Sequence, residues 1–182
     1  MSHNLYLISG LSGCGKTTLG KYVAEKKSAV LVDQDSFYYQ KKPIVRLSDG
    51  TNVKNWDCVE VMDWVSMKLK VISLLRDTDV VLVGFALRHY DISTIKDYAA
   101  KTVHIELSYG DEEELNLQRC IDSRKKSKTI NEERDVLVVK ELVWPFYCET
   151  KKDLRSDKTI YVYKENGERK GLKNLYTECF EN

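Results

Sequence analysis

The chain is 182 residues long, with 31% charged residues and a formal net charge of +1 at pH 7; it is long enough to bury a substantial core and too balanced to be drawn as a whole to nucleic acid or an anionic membrane. No apolar run approaches the roughly 20 residues of a membrane-spanning helix, and the first residues lead almost at once into an apolar strand, so no signal peptide is expected. The five cysteines form no Cys-x-x-Cys pair, which predicts reduced thiols in a cytosol-like, cytoplasmic compartment and no zinc site.

Residues 5–8 (Leu-Tyr-Leu-Ile) read as a short buried strand. Next comes Gly10-Leu11-Ser12-Gly13-Cys14-Gly15-Lys16-Thr17-Thr18, a glycine, four residues and then Gly-Lys-Thr. Leu19, Tyr22 and Val23 follow at helical spacing. Strand, loop and helix form the setting in which this pattern cradles phosphate. The glycines let the backbone wrap tightly, and the loop N–H groups and the helix N-terminus favour an anion. Gly10, Ser12, Gly13, Cys14, Gly15 and Thr18 are therefore candidate nucleotide-binding positions. Lys16 is expected to reach the β- and γ-phosphates, and the Thr17 hydroxyl to hold Mg²⁺. Cys14, near a helix N-terminus, is a candidate reactive thiol.

A second apolar run at 29–32 exits through Asp33-Gln34-Asp35-Ser36-Phe37-Tyr38. Strand ends in a parallel sheet face the ligand crevice. Asp35 is the candidate that accepts a proton from an attacking hydroxyl; the plainer alternative is a cap on a following helical turn. Residues 39–55 show no regular pattern. Asp57 and Glu60 have the spacing of a capping box, opening a helix over 58–76 whose apolar stripe is Val59, Met62, Val65, Leu69, Ile72 and Leu75. Asp57 could instead grip two sugar hydroxyls. Trp56 reads in isolation as a core aromatic, with a flat wall for a ligand ring as the alternative.

Further strands are expected at 80–83, 103–107 and 160–163, and a helix at 111–123 that opens on four acidic residues. His104, inside an apolar run, reads as structural. Arg119, Arg124, Lys125, Lys126 and Lys128 form a basic stretch that runs into an irregular segment at 124–130. Such a run is either a solvated face or a lid whose arginines neutralise a transferring phosphoryl group; Arg119 and Arg124 are the better candidates, because guanidinium matches phosphate oxygens as a fork. A helix capped by Asn131 follows. Val143-Trp144-Pro145-Phe146-Tyr147 predicts a helix kink, with Phe146 in the core. The last helix places Leu172, Leu175, Tyr176 and Cys179 inward. Alternating strands and helices imply an α/β fold around a parallel sheet.

Four of these segments in order (residues 10–18, Gln34-Asp35-Ser36-Phe37-Tyr38, Asn55-Trp56-Asp57 and Val143-Trp144-Pro145-Phe146-Tyr147) resemble the nicotinamide riboside kinases, within the uridine kinase-like P-loop kinases. The resemblance implies one domain over residues 1–182, with a P-loop kinase fold: a five-stranded parallel sheet flanked by helices, and a lid near residues 119–135. It implies transfer of the γ-phosphoryl group of ATP, with Mg²⁺, to the 5′-hydroxyl of nicotinamide riboside. Asp35 then matches the general base, Trp56 an aromatic position beside the pyridine ring, Asp57 the acid that grips the ribose, and Tyr38 an aromatic position near the substrate. Such a chain needs a small-molecule nucleoside, and neither nucleic acid nor membrane. The sequence departs from the family in two places: the lid lacks the usual density of arginines, and the end of the third strand lacks an acid. An acidic residue that helps hold Mg²⁺ usually precedes Gly-Phe at the end of the third strand, and here Val83 precedes Gly84-Phe85. Weaker metal binding or lower activity is expected. Two alternatives stay open: uridine or cytidine as acceptor, and a nucleotide-binding module that has lost catalysis.

Overall fold

The computed structural model describes residues 3–85, 87–127 and 132–181, with no side chain described at 125–127 or 132. The five apolar runs become five strands of one parallel sheet: β1 (Asn4–Gly10), β2 (Val30–Asp33), β5 (Val80–Gly84), β6 (Lys101–Ser108) and β7 (Lys158–Tyr161), in the order β2-β5-β1-β6-β7. In β1 and β5, two of the three inner strands, successive side chains serve opposite faces, as the two-residue period of a strand requires. Tyr6, Ile8, Val81 and Val83 enter one core cluster, and Leu5, Leu7, Val80 and Leu82 enter the other. The first cluster packs under α1 (Lys16–Lys27), α6 (Trp144–Lys152) and α7 (Leu172–Phe180); the second under α2 (Trp64–Leu74) and α3 (His89–Lys96). As expected, α7 buries Leu175, Tyr176 and Cys179.

Several local expectations are corrected. The helix expected over 58–76 begins only at Trp64, capped by Asp63, whose carboxylate accepts from Ser66 N at 2.9 Å. The preceding residues spend their backbone groups elsewhere: Tyr39 N donates to Val61 O, and Asp63 N to Phe37 O, each at 2.8 Å. Asp57 and Glu60 therefore open no α-helix, and only a short 3₁₀ turn, Val59–Val61, follows Asp57. The buried face of α2 is Met67 and Val71, and of the expected stripe Met62, Ile72 and Leu75 do join the core, whereas Val65 and Leu69 are exposed at 67% and 63%. Residues 39–55 hold a small antiparallel hairpin, β3 (Ile44–Arg46) with β4 (Asn52–Lys54). Its tip is tied down by Ser48 N, which donates to Glu141 at 3.0 Å. The basic stretch is helical through Ser127, in α4 (Glu113–Ser127); Asn131 and Lys128 lie outside the described residues. α5 (Glu132–Val138) runs into a π-helical turn at Val139–Val143 before α6. Pro145 has no N–H to give the carbonyl four residues back, and the helical ladder widens there.

His104 is structural, as expected. Its Nδ1 faces Arg155 O at 3.1 Å, which can only accept, so Nδ1 carries the proton and Nε2 accepts from Ser9 Oγ at 2.9 Å. Burial and the nearby Lys96 charge lower its pKa to about 4, so the ring is neutral.

Candidate functional site

The phosphate loop joins the central strand β1 to α1. Gly13 and Gly15 adopt φ of +81° and +99°, and both are pressed from outside. A Cβ on Gly13 would collide with the Ser123 side chain, and one on Gly15 would come within 2.7 Å of Arg169 Nη2. Side-chain donors, two from elsewhere in the chain and one from the loop itself, occupy the loop's carbonyls. Tyr109 hydroxyl donates to Ser12 O at 2.9 Å, Arg169 to Cys14 O at 3.0 Å, and Lys16 Nζ to Leu11 O at 3.0 Å. Holding the carbonyls this way leaves the N–H side of the loop to an anion.

Beside the loop lies a cleft of about 560 Å³. It brings together Ser12, Gly13, Gly15, Lys16, Thr17, Thr18, Asp35, Tyr38, Trp56, Asp57 and Arg124 from among the residues singled out in the sequence. Asp35 enters on a 3₁₀ turn, Gln34–Phe37, that follows β2 directly; Asp33 caps the turn by accepting from Asp35 N at 3.1 Å. The plainer reading thus belongs to Asp33, which does the capping, while Asp35 opens into the cleft. Desolvation and the neighbouring Asp33 charge raise the Asp35 pKa against the opposing pull of Lys16. Asp57 is more enclosed, and its carboxylate lies 3.8 Å from Arg124 Nη2. Burial raises its pKa, Arg124 lowers it, and Asp35 adds to the rise. The Tyr38 hydroxyl is pushed well above its ordinary value by burial and by the charges of Asp35 and Asp57.

Trp56 is 48% exposed and meets Tyr38 edge to face, with ring centroids 5.6 Å apart. The core reading of Trp56 therefore fails, and the two rings make a corner of the cleft. Lys42, only 6% exposed, sets its ammonium 4.3 Å from the Trp56 ring centroid and 5.5 Å from that of Tyr38. Phe146 stacks on Phe85 at 5.8 Å within the core, as expected, and Phe85 in turn lines the cleft.

Three candidates stand apart from the cleft. Gly10 lies beneath the loop, where a Cβ would collide with the Leu107 carbonyl. Cys14 is fully buried and its thiol pKa is raised by desolvation, so the expected reactive thiol is not found. Arg119 lies with its guanidinium 3.5 Å over the Tyr163 ring, in an adjacent cavity of about 190 Å³ lined also by Tyr109, Asp122, Ser123 and Arg169. Two cleft residues were not singled out. Asp33 lines the cleft, and Thr17 Oγ1 donates to its Oδ2 at 3.3 Å. Its position two residues before Asp35 was the available signal. Arg169 lines both cavities from the loop after β7, and nothing in that loop's sequence marks it.

No protein-family model matches the chain, and no curated protein matches it in sequence. Solved structures do match. A gluconokinase from Sinorhizobium meliloti aligns at 14% identity over 98% of this chain and 90% of that one, with a TM-score of 0.55. A sugar kinase from a Janibacter species aligns at 13% identity over 98% and 95%, with a TM-score of 0.55. A structure from Bacillus stearothermophilus, described as a possible uridine kinase, aligns at 14% identity over 88% and 89%, with a TM-score of 0.51. The chain has the α/β fold of the P-loop kinases, a five-stranded parallel sheet flanked by helices.

Proposed function

We propose that this chain is an ATP-dependent kinase that phosphorylates the 5′-hydroxyl of a ribonucleoside, with nicotinamide riboside as the first acceptor to test. One observation carries the reading: Asp35 and Asp57 share a cleft with Lys16 and Thr17, between a glycine-rich phosphate loop and the Tyr38–Trp56 corner. The matched structures described as sugar and uridine kinases lend support at the level of fold.

In this mechanism Asp57 holds the sugar hydroxyls, and Trp56 and Tyr38 flank the base. Asp35 orients the attacking hydroxyl and takes its proton, and its raised pKa makes it a better acceptor than an ordinary aspartate. The acceptor oxygen forms a bond to the γ-phosphorus as the bond to the bridging oxygen of ADP breaks. Lys16 steadies the charge on the phosphates. A lid near residues 119–135 of a single domain, of which 128–131 lie outside the described residues, belongs to this reading, and Arg124 lines the cleft. The Arg119–Tyr163 cavity beside the loop suits the donor base, a flat ring against a guanidinium. The hard oxygen donors near the loop, the Thr17 hydroxyl and a neighbouring carboxylate, fit Mg²⁺. Mg²⁺ would supply neutralisation of the β- and γ-phosphate oxygens.

A second reading, a uridine or cytidine acceptor, is favoured by Lys42. An ammonium on one face of Trp56 draws on the same ring charge that would attract a cationic pyridine ring to the other. The deciding experiment incubates the protein with ATP, Mg²⁺ and a panel of nucleosides and sugars, and reads product mass. Phosphorylated nicotinamide riboside is the expected result. Product from uridine or cytidine alone would replace the acceptor. ATP binding with no product from any acceptor would leave a nucleotide-binding module.

A further inference from the structure

The acid missing from the end of β5 has a counterpart one strand away. β2 and β5 run parallel with Asp33 paired in register to Val83. Val83 itself is 1% exposed and packs toward α1, where a Cβ on Gly20 would collide with its Cγ1. The Val83 side chain is buried against α1, although the residue also edges the cleft. Asp33, at the same level of the sheet, is instead turned to the phosphate loop, with Oδ2 3.3 Å from Thr17 Oγ1.

We infer that Asp33 is a metal-positioning carboxylate: with Thr17 it holds the divalent cation of a bound nucleotide, in place of the side chain that is apolar at position 83. The inference rests on the reading that the cleft takes a metal–nucleotide complex. Two oxygens at neighbouring corners of a Mg²⁺ octahedron, each about 2.1 Å from the ion, lie about 3 Å apart, close to the Thr17–Asp33 separation. The carboxylate acts on the ion directly or through one of the waters that Mg²⁺ keeps. The local fold fixes this arrangement. Gln34, buried between the two strand ends, accepts from Phe85 N at 2.7 Å and so ties the turn after β2 to the end of β5. The same turn sends Asp35 further along the cleft. Two acids two residues apart thereby divide the work, Asp33 toward the cation and Asp35 toward the hydroxyl.

The test measures metal binding and not turnover. Mn²⁺ is titrated into protein saturated with a non-hydrolysable imido analogue of ATP, and free Mn²⁺ is followed by its electron paramagnetic resonance signal. Asp33→Asn keeps an oxygen for the Asp35 N–H and removes the charge. It is expected to weaken Mn²⁺ binding about tenfold or more, while in chelator, where the lost charge only relieves repulsion, the variant binds the analogue at least as tightly as the parent. Thermal unfolding checks that the variant is folded; if it is not, Asp33→Ser, which also retains a capping oxygen, is read in its place. A folded variant that binds the analogue and holds Mn²⁺ as tightly as the parent overturns the role of Asp33 alone. A parent protein that binds the analogue equally with and without metal does the same. A parent that binds no analogue under either condition overturns the nucleotide reading, and Asp33 with it.

Discussion

At the phosphate-loop end of the cleft the chain offers backbone, a contiguous run between β1 and α1 whose shape is enforced by Gly13 and Gly15 and braced from outside by Tyr109 and Arg169. At the aspartate end it offers side chains from three separate places: the turn after β2, the segment before α2, and α4. The first end is specified by a few adjacent residues and can hold a phosphate chain whatever lies beyond it. The second end exists only when the whole fold is formed, and each of its contacts is a single side chain that can be exchanged. On the proposed kinase reading, specificity for an acceptor would therefore reside in the less cohesive half.

The sharpest way to break the comparison is to remove one group from the second end and ask whether the first notices. Asp35→Ala is expected to lower kcat by roughly 10²–10⁴-fold, the usual contribution of a positioned acid or base, with nucleotide affinity unchanged by calorimetry. The side chain is open to the cleft and carries no side-chain hydrogen bond to the loop among the bonds described. A loss of nucleotide binding equal to the loss of rate would mean that the two ends are one unit. The parent's acid limb should also titrate above the ordinary aspartate value, because desolvation and Asp33 raise the Asp35 pKa. The rate then falls as the pH drops through that raised value and the base takes up its proton.

A smaller effect tests the scaffold beneath the loop. The Ser9–His104 bond joins β1 to β6 near the start of the phosphate loop. His104 titrates near 4 in the folded chain against 6.5 ordinarily, because burial and Lys96 disfavour its charge, with Asp157 and the Arg155 carbonyl opposing. As the pH falls the unfolded chain takes the proton first. The contribution is complete above about pH 6.5 and is lost progressively down to about pH 4, on the order of 3 kcal/mol in all. Thermal unfolding from pH 8 to pH 4 should fall more steeply for the parent than for His104→Gln. Equal slopes would show that the ring charges at no cost.

The same contrast explains what could be read from the sequence. The five strands were legible because buried parallel strands are short continuous apolar runs, and the loop because its pattern is contiguous. The start of α2 was not. Asp57 and Glu60 imitate a capping box, and only the tertiary pairing of residues 61–63 with 37–39 reveals that the helix waits for Asp63. Val65 and Leu69 misled for a related reason, since a helix with apolar residues on two faces does not declare which one the sheet covers. Arg169 was invisible because it reaches the loop from 155 residues away. Asp33 was seen as a strand exit, but its relation to Val83 is a register between strands, which no local pattern encodes.

The mildest change bears most directly on the acceptor. Trp56 stands half-exposed at the cleft corner, with Lys42 behind it and Tyr38 against its edge. Stacking of a base on an aromatic ring is worth about 1–3 kcal/mol, so Trp56→Ala should raise the acceptor KM about tenfold and leave the ATP KM unmoved. Lys42→Met then separates the two acceptor classes. It keeps an apolar stem against the rings and removes the ammonium, so the ring face regains its attraction for a cation. If the natural acceptor carries a cationic pyridine ring, Lys42→Met should lower its KM and leave the KM of a neutral nucleoside nearly unchanged. An equal effect on both would mean that Lys42 only props the corner, and that the charge of the acceptor is read by Asp35 and Asp57 instead.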